Sequence, residues 1–169
     1  MITRLNVTDD SGFIAIANAD KYLSFVNKNW KFPQLLNHFI DEMNKQAFIV
    51  WATGLQNTWT VTFMHKPTDK KAFREFSKSI DVSNGQLFLT NYEDLTMAAQ
   101  FDKEKIPANH NSDLCIKLGN GKYILTIRQM FDPENYEYDQ SEKNDFEIIT
   151  QVDRNDQDKK IDKVFWWTD

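Results

Sequence analysis

The apolar residues of this chain recur first with a period of two. Ile2, Leu5 and Val7 alternate with polar neighbours in "ITRLNV", and "GFIAIAN" follows with Ile14 and Ile16 on one face and Phe13, Ala15 and Ala17 on the other. Alternation predicts strands, and a run apolar on both faces predicts a central one. "NADKYLSFVNKNW" opens on a turn signal and leaves room for a short helix. The period then lengthens. Leu36, Phe39, Ile40 and Met43, with Leu35 beside them, predict a helix over "FPQLLNHFIDEMNKQ", where Pro33 sits in the first turn and its missing N–H costs nothing. "AFIVWATGLQNTWTVTFM" predicts a hairpin that turns between Thr53 and Asn57, with Trp59, Val61 and Phe63 alternating along the return arm. Ala72, Phe73, Phe76 and Ile80 predict a second amphipathic helix in "TDKKAFREFSKSI", capped by Thr68.

After the turn "DVSNG", Leu87 and Leu89 mark a strand in "GQLFLTN". In "EDLTMAAQFD" two signals compete. Leu95, Met97, Ala99 and Phe101 alternate as a strand does, whereas Met-Ala-Ala-Gln favours helix by propensity; the strand-like neighbours tip the expectation to strand. "DLCIKLGNGKYILTIRQM" predicts a further hairpin, with Gly119-Asn120-Gly121 supplying positive φ angles. "FEIITQV" predicts a late strand. These elements add up to one α+β domain over residues 1–169, an antiparallel β-sandwich or open barrel with about two helices. Gly12 matches Gly85, Ile14 matches Leu87, Ile16 matches Leu89 and Asn18 matches Asn91, and each set is followed by an alternating arm. This leaves two readings open: a repeat of residues 11–64 in residues 84–130, or two β segments alike only because both end in a turn.

Composition changes the picture in three places. With 13 Phe and 5 Trp, the core is ring-rich. The one cysteine, Cys115, excludes an intrachain disulfide and a Cys-based zinc site. The N-terminus lacks the apolar run of a secretory signal, and no apolar stretch approaches the roughly 20 residues that span a bilayer; the expectation is a soluble, cytoplasmic protein. Charge is unevenly spread. Residues 1–130 carry 15 basic and 13 acidic side chains, and residues 131–169 carry 5 basic and 12 acidic. Direct nucleic-acid binding needs clustered Lys and Arg, so this balance argues against it and favours a basic protein partner.

Catalytic signals are scarce. His38, His65 and His110 are scattered without metal-ligand spacing, and "LGNGK" lacks the spacing of a phosphate-binding loop. No His adjoins Cys115 in sequence. "DRNDQD" departs from a calcium loop, with Asp158 where the invariant Gly belongs. No catalytic residue, metal site or cofactor is therefore assigned, and an enzyme is not expected. An enzyme using carboxylates alone, a structural subunit, and a carbohydrate- or small-ligand-binding module using Trp51, Trp59 or Trp167 stand as alternatives, although Trp51 and Trp59 sit at alternating positions that fill a core.

The acidic quarter interleaves acid with aromatic residues. Asp132, Glu134, Tyr136, Glu137, Tyr138, Asp139, Glu142 and Asp145, followed by Asp153, Asp156 and Asp158, are the expected partner-binding residues. Tyr supplies a large rigid anchor, and a rim of like charge raises association with an opposite partner by roughly 10–10³ at low salt. The simpler reading is a solvated loop that keeps the protein soluble. Phe165-Trp166-Trp167 either tie the terminus onto the domain or dock on a partner.

"GFIAIANAD", "VWATGLQNTWTV" and the acidic last quarter together resemble bacterial toxin-immunity proteins and small nuclease inhibitors. The resemblance implies neutralising binding to one cognate toxin or nuclease, without turnover.

Overall fold

Each strand keeps at least one apolar face, and two sheets bury those faces against each other. The computed structural model describes residues 2–138 and 143–169. In chain order its elements are β1 (Thr3–Asp9), β2 (Phe13–Ala17), α1 (Phe32–Asn44), β3 (Phe48–Ala52), β4 (Asn57–Met64), β5 (Arg74–Val82), β6 (Gln86–Asn91), α2 (Tyr92–Gln100), β7 (Cys115–Lys117), β8 (Gly121–Gln129) and β9 (Phe146–Val152). One sheet has the order β1-β4-β9-β8-β5 and the other β3-β2-β6-β7. Neighbours are antiparallel except β4 and β9, which run parallel. The order strand, strand, helix, strand, strand occurs twice, first around α1 and then around α2, and β9 lies between the two pairs in the first sheet.

Val7, Trp59, Val61, Ile80, Leu125, Ile127 and Phe146 from the first sheet meet Ile14, Ile16, Trp51 and Leu87 from the second in the central core. Each such side chain contributes about 1.5–3 kcal/mol by leaving water. The outer face of the second sheet is apolar too. Phe13, Ala15, Phe48 and Val50 pack under Leu35, Phe39 and Met43 of α1 and Leu95, Ala98 and Ala99 of α2. The result is an α+β sandwich of two sheets, as the alternation predicts, with the two helices added as a layer on the outer face of the second sheet. No helix among the described residues is long and apolar enough to cross a membrane.

Four local expectations are corrected. Residues 74–82 form strand β5, not a helix: Phe76, Ile80 and Val82 face the core at period two, and the charged Lys78 between them hid that alternation. Residues 92–100 form helix α2, not a strand. Asn91 Oδ1 accepts from Asp94 N at 2.9 Å as N-cap, and Leu95, Ala98 and Ala99 bury one helical face. Both predicted hairpins are arches. β3 and β4 belong to different sheets, as do β7 and β8, so each turn carries the chain across the core and not to a paired neighbour. Residues 22–30 hold no helix and run beside α2, with Val26 N and Asn27 N donating to Ala99 O.

Candidate acidic-aromatic interface

Asp145 and Asp153 flank the two ends of β9 (Phe146–Val152). Eight steps at about 3.3 Å place those two residues about 26 Å apart, so the acids expected to form one surface fall into two groups at opposite ends of the first sheet.

The first group is a clamped loop. Asp132 accepts from Glu134 N at 3.0 Å and Asn135 Nδ2 at 2.7 Å, which fixes a single 3-10 turn over Pro133–Asn135. Tyr136 then turns back, and its hydroxyl donates to Asp145 Oδ1 at 2.8 Å. Asp145 is buried and also accepts from Thr60 N at 2.8 Å. Desolvation raises the Asp145 carboxyl above its usual range, against the lowering effect of these two hydrogen bonds. It raises the Tyr136 phenol as well, helped by the bond to Asp145. Rings form a ladder from core to surface. Phe131 stacks on Trp59 at 4.7 Å, Tyr136 meets Phe131 edge-on at 4.9 Å, and Tyr138 meets Tyr136 at 4.8 Å. Tyr138 ends the ladder 57% exposed. Glu134 and Glu137 beside it are exposed, and among the described residues no ion pair engages them or Asp132. Asp139 and Glu142 lie outside the described residues.

The second group is used internally. Asp153 accepts from Ser79 Oγ at 3.0 Å; desolvation, which raises its carboxyl, is outweighed by this bond and by backbone N–H groups, and the net shift is downward. Asp156 pairs with Lys122 at 2.6 Å. Asp158 is half-buried against Lys78 at 2.5 Å and also accepts from Ser79 N and Gln46 Nε2, each at 3.2 Å. Asp158 thus fastens the C-terminal segment to β5.

The aromatic triplet docks on the domain. Phe165 stacks on Phe76 at 3.7 Å, and its carbonyl accepts from Ala52 N at 3.0 Å beside β3. The Arg74 guanidinium lies over Trp166 at 4.3 Å, and Trp167 packs on Phe13 and Phe32 at 5.2 and 5.4 Å. Sequence patterning puts Arg74 on a helix and singles out neither it nor Gly54. A Cβ at Gly54 would lie 2.7 Å from Pro133 Cγ, so this glycine seats the acidic loop against the turn after β3. Nor does patterning single out Asp9, a buried carboxylate that accepts from Gly12 N at 2.7 Å, Thr53 Oγ1 at 2.9 Å and Trp59 Nε1 at 3.1 Å and so gathers the same end of the sandwich. Desolvation raises its carboxyl against these bonds.

The remaining chemistry is dispersed. His65 Nδ1 meets Thr150 Oγ1 at 3.2 Å, and His110 pairs with Asp94 at 3.0 Å. Among the described residues no three His, Cys, Asp or Glu gather in a geometry that holds a metal. Trp51 and Trp59 are 0% exposed and fill the core, so neither offers a sugar a stacking face.

Two solved structures share this fold. One, described as "Crocagin biosynthetic gene J", superposes with a TM-score of 0.56 at 12% identity, over 90% of this chain and 96% of that one. The other is ComJ from Bacillus subtilis, described as an inhibitor of the DNA degrading activity of NucA; it superposes with a TM-score of 0.50 at 12% identity, over 90% of this chain and 98% of that one. At such identity the likeness is one of fold alone. No family model and no curated protein matches the chain.

Proposed function

We propose that this chain is a non-catalytic inhibitor that neutralises a basic nuclease by covering its DNA-binding surface. The observation that carries the reading is the loop of residues 132–138, where carboxylates without an ion-pair partner among the described residues flank an exposed ring. Glu134, Glu137 and Asp132 supply the field, Tyr138 supplies the anchor, and Tyr136 with Asp145 holds the loop in place before binding, which reduces the ordering cost. A nuclease cleft is basic because it must hold phosphates, so it offers the complementary field. The shared fold with ComJ supports the inhibitor class. Asp153, Asp156 and Asp158 act as scaffold in this proposal.

The test is a plasmid-degradation assay with a NucA-type nuclease encoded in the same genome. Inhibition is expected at about 50 mM salt, weakening as the Debye length shrinks from about 14 Å to about 6 Å near 0.3 M. Glu134→Lys combined with Glu137→Lys is expected to abolish inhibition while the thermal transition stays in place. Inhibition indifferent to both salt and charge reversal overturns the electrostatic mechanism, and no inhibition at any ratio overturns the inhibitor assignment.

A further inference from the structure

Next to the acidic loop lies a cleft of about 280 Å³, floored by Gly12 and Gly54 and walled by Phe13, Trp166 and Trp167. Its construction is specific. Gly12 and Gly54 have φ values of 84° and 86°, which L side chains rarely adopt, and at Gly54 a Cβ would lie 2.7 Å from Pro133 Cγ. Trp166 has a φ of 61°, a conformation that bulky L-residues avoid. That turn sends Phe165 inward onto Phe76 and Trp167 outward onto Phe13. Strain of this kind at a bulky residue concentrates at functional surfaces.

The walls are aromatic, and acidic residues adjoin Ser11 and Thr168 of the lining, whereas Lys160 and Lys163 line a neighbouring cavity that shares Trp166 and Trp167. Ser11 Oγ donates to Glu93 Oε1 at 2.6 Å, with Asp10 adjacent in the chain. Trp167 Nε1 donates to Asp169 Oδ1 at 3.1 Å. Asp132 precedes Pro133, the residue that abuts Gly54. Arg74, whose guanidinium would lie 3.6 Å from a Cβ at Gly54, lies on Trp166 and is committed to Ala52 O at 3.2 Å and Gln129 Oε1 at 3.0 Å. Rings under a negative field favour a cation.

We propose that the cleft receives one arginine or lysine side chain of the partner, held by a cation–π contact with Trp167 and by the acidic rim. The proposal rests on the inhibitor reading for the partner's basic character, and it assigns the hot-spot pocket of that interface. The neighbouring loop guides approach, whereas this cleft fixes register through one inserted side chain.

The test titrates Nα-acetyl-arginine methylamide into protein labelled with ¹⁵N at its indoles, with the citrulline and leucine analogues as neutral controls. The Trp166 and Trp167 indole signals are expected to shift with the arginine compound and not with either control, while the core indoles of Trp51 and Trp59 stay still. Trp167→Leu is expected to weaken that binding about 2- to 30-fold. If Trp167→Leu does not fold, Asp10→Asn combined with Glu93→Gln is expected to weaken it through the rim. Equal response to citrulline or leucine overturns the proposal, as does an arginine response unaltered in these variants. The Glu134→Lys, Glu137→Lys protein separates the two ideas. If it loses nuclease inhibition while wild-type protein ignores the arginine probe, only the cleft assignment falls. If the probe binds and wild-type protein inhibits no nuclease, only the inhibitor reading falls.

Discussion

Asp158→Ala separates scaffold acids from interface acids. Removing this carboxylate deletes the 2.5 Å contact to Lys78 and the two 3.2 Å contacts to Ser79 N and Gln46 Nε2. The Lys78 side chain is 2% exposed and is left with one acceptor, Lys159 O at 3.1 Å. An uncompensated buried charge of this kind costs about 3–5 kcal/mol. A chain of this size shifts its melting temperature by about 2–4 °C per kcal/mol, so the expected loss is about 6–20 °C. In urea, with a slope near 2 kcal/mol/M, the midpoint is expected to fall by about 1.5–2.5 M. Asp158→Leu combined with Lys78→Met removes both charges and is expected to recover to within about 2 kcal/mol of wild type. Equilibrium urea denaturation followed by tryptophan fluorescence, run on Asp158→Leu, Lys78→Met and the double, gives the coupling energy. A single-variant cost below about 1 kcal/mol, or a double equal to the sum of the singles, refutes the reasoning.

Phe165→Ala removes the stack on Phe76; because Phe165 is only partly buried, the cost is expected at about 2 kcal/mol, below the range for a fully buried ring, with proteolysis near residue 160 accelerated. Gly54→Ala forces a Cβ against Pro133 at a φ of 86° and is expected to cost more than 1 kcal/mol and to weaken partner binding by displacing the acidic loop, checked by urea midpoint and inhibition assay. The pH dependence follows from Asp145, whose folded carboxyl titrates above the unfolded value near 3.8. Its contribution to stability is present below that value and is lost as pH rises through the folded pKa. Wild type is therefore expected to gain on Asp145→Asn as pH falls toward 3.8 in urea midpoints, and a flat difference refutes the raised pKa.

Alternation and helical spacing placed β1, β2, β6, β9 and α1 because each is decided by its own residues. The segment around Lys78 was illegible because its inward charge is neutralised by Asp158, 80 residues away. For α2 a local signal was present, Asn91 with Glu93 and Asp94 in the first turn, and it outweighs the coincidental alternation of Leu95, Met97 and Ala99. The two arches read as hairpins because alternation reports which face is apolar and not which strand lies alongside; β9 takes the place beside β4 and β8. Acid content located the acidic quarter, but only the fold separates Glu134 and Glu137 from the paired Asp156 and Asp158. Duplication of the chain stands as a proposal, supported by the twice-occurring element order and by the mirrored strand order of both sheets.

The central place of β9 has a consequence for biosynthesis. Residues 146–152 bring Phe146 and Ile148 to the middle of the first sheet, bonded on one side to β4 and on the other to β8. Until a ribosome has released them, the nascent polypeptide holds two ribbons with a gap between and two sticky inner borders. β9 is thus the keystone that joins the two ribbons into one sheet.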